Sequence, residues 1–216
     1  MQRRMNINHV QAVNAASAAY LDEAANGYAV SVAWKTRAAE ACGRSRRWIN
    51  KRLAEVGDWW GESLWDVYSE GRGTLWTLSG HGLIVVPDFV RIWEEVELCK
   101  QAAAVYLDAD WSDTVAFELP GIVMLRDFVI TEQLLSGYTA RQCAAAGGIG
   151  AREVIERARV VGGFLGARPV VTLPGSGEPE VTDFGKQVAE SIHAIAERYM
   201  RMLYTLSLLE RMRADT

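Results

Sequence analysis

The chain has 216 residues, half of them apolar and 23% charged, with a net charge of −4. That is a globular composition with room for one large domain or two of about 100 residues each, and no stretch approaches the roughly 18 apolar residues of a membrane span. Met1-Gln-Arg-Arg lacks the apolar core of a secretory signal, and Cys42, Cys99 and Cys143 form no paired spacing, so a reducing, cytoplasmic setting without disulfides is expected.

In chain order, a first helix is expected over about Asn8 to Ala25 and a short one over Ala33 to Cys42. The glycine turn Gly43-Arg44-Ser45 follows, with Ser45 suited to cap a third helix from Arg46 to Val56. Ile49, Leu53 and Val56 give that helix an apolar stripe at steps of 4 and 3. Leu64 to Tyr68 and Thr74 to Thr77 flank Ser69-Glu-Gly-Arg-Gly73, a pattern of β-branched and aromatic residues around a glycine loop that predicts a hairpin. A helix from Leu83 to Leu107 closes this unit. The acidic, aperiodic segment that begins at Asp108 is read as a linker over 108–119.

Shifted by 105 residues, the chain matches itself without gaps. Ser31 meets Ser136; Ala39, Ala41 and Gly43 meet Ala144, Ala146 and Gly148; Arg52, Val56, Gly57 and Gly61 meet Arg157, Val161, Gly162 and Gly166; Thr77 and Gly80 meet Thr182 and Gly185. A fixed-period match of this kind marks a repeated structural unit. The second unit then reads as helices over Val123 to Leu135 and Ala140 to Ala146, a turn at 147–150, and a third helix with Val154, Ala158 and Val161 on its apolar face. A hairpin follows from Pro169–Leu173 and Glu180–Thr182 around Pro174-Gly-Ser-Gly177. The expected fold class is mainly α with small β wings. It comprises two tandem winged helix-turn-helix domains, at 1–107 and 120–216, and a long C-terminal helix.

Charge is unevenly spread. Between Trp34 and Ala54 stand Lys35, Arg37, Arg44, Arg46, Arg47, Lys51 and Arg52 against one acid, Glu40. A local field follows where charges sit, so an acidic chain can present a basic face. Unit two carries mixed signs on its third helix, with Arg152, Glu153, Glu156, Arg157 and Arg159, and no base in its hairpin turn.

Unit one resembles the DNA-binding domains of LysR-type and molybdate-responsive regulators. The residues that carry the likeness are Ala38-Ala39, Cys42 at a Leu position, Ser45, Ile49, Asn50 at a second Ser position, Leu53, then Gly61, Leu64, Trp65, and Trp76-Thr77 with Gly80. Val56-Gly57 and Val67 depart from the LysR pattern, and no segment resembles the effector domains of those families. The resemblance implies a winged helix-turn-helix that enters the major groove with its third helix. Arg46, Arg47 and Asn50 are then candidates for base edges, because Arg grips guanine and Asn grips adenine through paired hydrogen bonds. Ser45, Lys51, Arg44 and Lys35 are candidates for phosphates, and Arg72 at the wing tip for the minor groove.

Val188, Ile192, Ile195, Tyr199, Met202, Leu206 and Leu209 alternate by 4 and 3 along the last helix, which reads as a homodimer seam. The tryptophans at 59, 60, 65 and 76 fit core packing, with a ligand pocket or base stacking as the other use. His9, His81 and His193 make no metal or catalytic spacing, Cys42 reads as a small apolar residue, and no nucleotide loop, hydrolase elbow or metal motif is present. The expectation is a homodimeric, non-enzymatic transcriptional regulator of double-stranded DNA without a cofactor. A plasmid-type replication initiator and a winged-helix scaffold that docks proteins are the alternatives.

Overall fold

The computed structural model describes residues 5–25, 33–70, 73–109, 122–172 and 177–214. Arg72 and residues 110–119 of the expected linker lie outside them. Among the described residues the chain is mainly helical, with two antiparallel two-stranded sheets and a long C-terminal helix. The elements run α1 (Ile7–Ala25), α2 (Ala33–Ala41), α3 (Arg46–Trp60), β1 (Trp65–Glu70), β2 (Gly73–Leu78) and α4 (Gly80–Ala109). They continue with α5 (Leu125–Leu135), α6 (Ala140–Gly147), α7 (Ala151–Leu165), β3 (Val170–Thr172), β4 (Pro179–Val181) and α8 (Asp183–Ala214). The order of three helices, a hairpin and a long helix thus occurs twice.

Two compact units divide the chain, and not at the expected linker. Unit one takes Ile7–Trp93 and the end of the chain from Arg201, whereas unit two takes Glu94–Met200 together with Met5 and Asn6. The long helices α4 and α8 each supply both units, and Asp108, expected to open the linker, is still within α4.

Unit one closes around Val10, Val13 and Ala16 of α1, Trp34 and Ala38 of α2, Ile49, Val56 and Trp60 of α3, and Phe89 and Ile92 of α4, all buried. α3 forms as its residues require. The Oγ of Ser45 accepts the N–H of Trp48 at 3.2 Å, satisfying one of the donors a helix start leaves open. The helix runs one turn past Val56 because Trp60 also enters the core. In the hairpin Trp65 pairs with Leu78 and Val67 with Trp76.

Unit two packs Phe128 and Leu134 of α5, Cys143 of α6, Val154, Ala158 and Val161 of α7, and Phe184 and Ile192 of α8. Its N-terminal strip is tied in by a bridge between Asn6 and Met124 and by the Leu125 N–H donating to the Met5 carbonyl at 3.1 Å.

The same joint ends both hairpins. In unit one the Ser79 N–H donates to the Leu64 carbonyl, and its hydroxyl donates to the Ser63 carbonyl while accepting the Gly82 N–H. In unit two the Thr182 N–H donates to the Pro169 carbonyl, and its hydroxyl donates to the Arg168 carbonyl while accepting the Gly185 N–H. A Cβ at Gly82 would meet the Leu64 oxygen at 2.1 Å, and one at Gly185 the Pro169 oxygen at the same distance. The ungapped register is therefore corrected beyond the hairpins. Leu64 and Pro169 keep it, but Ser79 rather than Thr77 answers Thr182, and Gly82 rather than Gly80 answers Gly185, because the second hairpin is two residues shorter.

The residues of the expected α8 seam are covered to different degrees within the chain. Val188, Ile192, Ile195 and Tyr199 are buried in unit two, Met202 and Leu206 in unit one, and Leu209 is half-buried. Among the described residues no helix is long and apolar enough to cross a membrane.

Candidate nucleic-acid interface

The helical repeat sorts the side chains of α3 onto two faces. Ile49, Val56 and Trp60 point into unit one, while Arg46, Arg47, Asn50 and Lys51 are exposed on the opposite side. Arg44 and Ser45, just before the helix, are exposed too. Six of the eight candidate DNA contacts therefore lie together at the N-terminal end of one helix, where backbone N–H groups add positive potential.

Partners decide which of the seven bases remain available. Arg37 reaches the buried carboxylate of Glu23 at 2.6 Å, and Arg52 reaches Glu55 at 2.7 Å. Both charges are answered inside the unit. Arg44, Arg46, Arg47 and Lys51 make no ion pair among the described residues. The Arg44 guanidinium instead lies 5.6 Å from the ring centroid of Trp48, on the first turn of α3.

Lys35 stands apart from the other candidates. It is half-buried, and its Nζ lies 3.8 Å from the ring centroid of Trp76 and 5.3 Å from that of Trp34. Burial, and then the nearby charge of Arg46, push its pKa below the ordinary lysine value. An ammonium on an indole face is attracted by the ring quadrupole, so this lysine is held at the edge of the basic face. The stack needed tertiary structure to be seen, since α2 and β2 are far apart in sequence.

A cleft of about 710 Å³ opens beside this face, between α2, α3 and the hairpin. Trp34, Lys35, Asn50, Leu53, Trp65 and Trp76 line one part of it, and Asp58 and Glu62 lie towards the other end of α3. The indole rings of Trp34 and Trp65 have centroids 5.2 Å apart, and those of Trp34 and Trp76 are 5.7 Å apart and nearly perpendicular. Trp60 is core as expected, whereas Trp65 and Trp76 serve both core and cleft.

On the inner side of α3, the buried His9 of α1 lies 2.9 Å from Glu55 and packs edge-on against Trp59. Burial works to raise the Glu55 carboxyl, but hydrogen bonds from His9 and Arg52 outweigh it and hold the pKa below its usual value. His81 pairs with Glu62 at 2.6 Å and His193 with Glu132 at 3.2 Å. Burial raises the pKa of all three cysteine thiols, that of Cys99 to about 12, and Cys42 sits half-buried with its sulfur 3.8 Å from the Gln11 carbonyl. Among the described residues no group of three His, Cys, Asp or Glu could hold a metal ion.

The third helix of unit two is differently charged. Arg157 is held by Asp127 and Glu153, and Arg159 lies 3.8 Å from Glu156. Gly150 stands at the Ser45 position and has no side chain to cap the helix. No family model, curated protein or solved structure matches the chain.

Proposed function

We propose that the chain is a sequence-specific DNA-binding regulator of transcription that reads double-stranded DNA with α3 and the wing of unit one. In this reading each unit is a winged helix-turn-helix, with α2 and α3 as the helix pair and the β1–β2 hairpin as the wing. One observation carries it. Arg44, Arg46, Arg47 and Lys51 are exposed, without an ion-pair partner among the described residues, around Asn50 at the start of α3. Arg46, Arg47 and Asn50 have the donor patterns that read guanine and adenine, and Arg44, Ser45, Lys51 and Lys35 would fix the register on phosphates. Arg72, which lies between β1 and β2 in the sequence, would add a minor-groove contact.

The ion pairs on α7 favour a second role for unit two. Its arginines are largely answered by its own acids, and carboxylates repel phosphates, so it would contact DNA weakly or dock a protein. Selection from a pool of random duplexes by the whole chain tests the reading. Enrichment of one motif is expected, a palindrome for paired copies and a direct or single site for an initiator-like monomer. Recovery of an unenriched pool would leave a protein-docking scaffold as the function.

A further inference from the structure

We propose that a second copy of this chain packs antiparallel on the outer face of α8, about a two-fold axis at Tyr204. The proposal does not rest on the DNA reading. It uses the side of the helix that faces away from the buried Ile195, Tyr199, Met202 and Leu206.

Helical spacing gathers this face on one continuous helix. Met200, Tyr204 and Leu208 follow one another at steps of four, and Glu197 and Arg211 stand seven residues before and after Tyr204. At 3.6 residues per turn, all five lie within about 40° of one line along α8. The apolar side chains of Met200, Tyr204 and Leu208 are 52%, 65% and 38% exposed. Scattered apolar residues are ordinary on a protein surface, but a contiguous ridge of them with a polar rim marks an interaction surface. Glu197 and Arg211 supply that rim at the two ends, and both are exposed.

Charge selects the occupant and its direction. In an antiparallel pair that crosses at Tyr204, each residue faces the one equally far on the other side of Tyr204. Glu197 then faces Arg211 of the second copy, Arg211 faces Glu197, Met200 faces Leu208, and the two Tyr204 rings meet at the axis. Arg201, at the edge of the face, comes opposite Ser207 and meets no like charge. A parallel pair would instead set Glu197 on Glu197 and Arg211 on Arg211, and like charges across an interface are costly. Opposite charges at equal distances from an apolar centre are what a self-complementary two-fold contact requires. A single helix face buries less than a standard protein interface, so the expected dissociation constant is micromolar.

Sedimentation equilibrium of the whole chain across the micromolar range tests the proposal, and a reversible dimer is expected. Glu197→Arg and Arg211→Glu should each weaken it at least about tenfold, because each puts two like-charge contacts into the dimer. The double variant, Glu197→Arg with Arg211→Glu, should restore the native affinity. Tyr204→Glu should give a monomer. All three positions are exposed, so the variants should keep the native circular dichroism spectrum. A native chain that stays monomeric, a dimer that Tyr204→Glu leaves intact, or a double variant that pairs no more tightly than the single ones would overturn the proposal.

Discussion

Arg157 donates to Asp127 at 2.7 Å, joining α7 to the first turn of α5 across 30 residues of sequence. The other oxygen of Asp127 accepts the Met124 N–H at 2.9 Å, so one buried carboxylate holds both a helix start and a helix pair. Removing Asp127 leaves the Met124 N–H without its acceptor and takes one of two carboxylates from Arg157, which keeps Glu153. Asp127→Ala should therefore cost about 1.5–3 kcal/mol in urea unfolding, and a double change of Asp127 and Arg157 to apolar residues less. A loss below about 1 kcal/mol for the single variant would show that the pair does not support the unit.

The joints at Ser79 and Thr182 give a second stability prediction. Ser79→Ala and Thr182→Val each remove a hydroxyl that satisfies a glycine N–H and a carbonyl. Each should cost about 1–3 kcal/mol, with Ser79→Ala at the upper end because the Gly82 N–H is buried. Their effects should add, since the two joints share no partner. Thermal or urea unfolding of the single and double variants measures both points.

Acid should weaken unit one through Glu55. Its folded pKa is lowered, so the stability it supplies is fully present above the unfolded value of about 4.3 and is lost as pH falls through the folded one. Glu55→Gln should lower stability at neutral pH and flatten the decline as pH falls below about 4.5. A variant that loses stability over that window as steeply as the native chain would assign the acid response to other groups.

Much of this fold could be read from local pattern. The Ser45 cap, the stripe of Ile49, Leu53 and Val56, and the glycine-centred hairpin each placed an element within a turn of where it lies. What escaped depends on partners distant in sequence. Arg37 and Arg52 looked like members of a basic face until Glu23 and Glu55 were seen beside them. The α8 stripe has the same period whatever covers it, so periodicity alone could not show that Val188, Ile192, Ile195, Tyr199, Met202 and Leu206 are buried within the chain. The shorter second hairpin was hidden because Thr77 and Gly80 imitate Ser79 and Gly82 at nearly the same spacing.

That sorting of the bases predicts how salt acts. Neutralised phosphates release counterions, so log K falls with log salt in proportion to the number of cations engaged. Lys51→Ala and Arg44→Ala should each reduce the slope by about one. Arg37→Ala should leave it unchanged, because Glu23 already occupies that guanidinium. Fluorescence anisotropy on one duplex across a salt series measures all three slopes, and a fall in slope for Arg37→Ala equal to the others would place it on the DNA face.

The central claim is that the exposed start of α3 reads bases. Binding isotherms of Arg46→Ala and Arg47→Ala on the duplex selected by the native chain, set against a scrambled duplex, test it most directly. Both side chains are exposed, so the variants should unfold at the same urea concentration as the native chain. The account predicts that each loses about 1–3 kcal/mol on the selected site, and less on the scrambled one. Native affinity and native discrimination in both variants would contradict it.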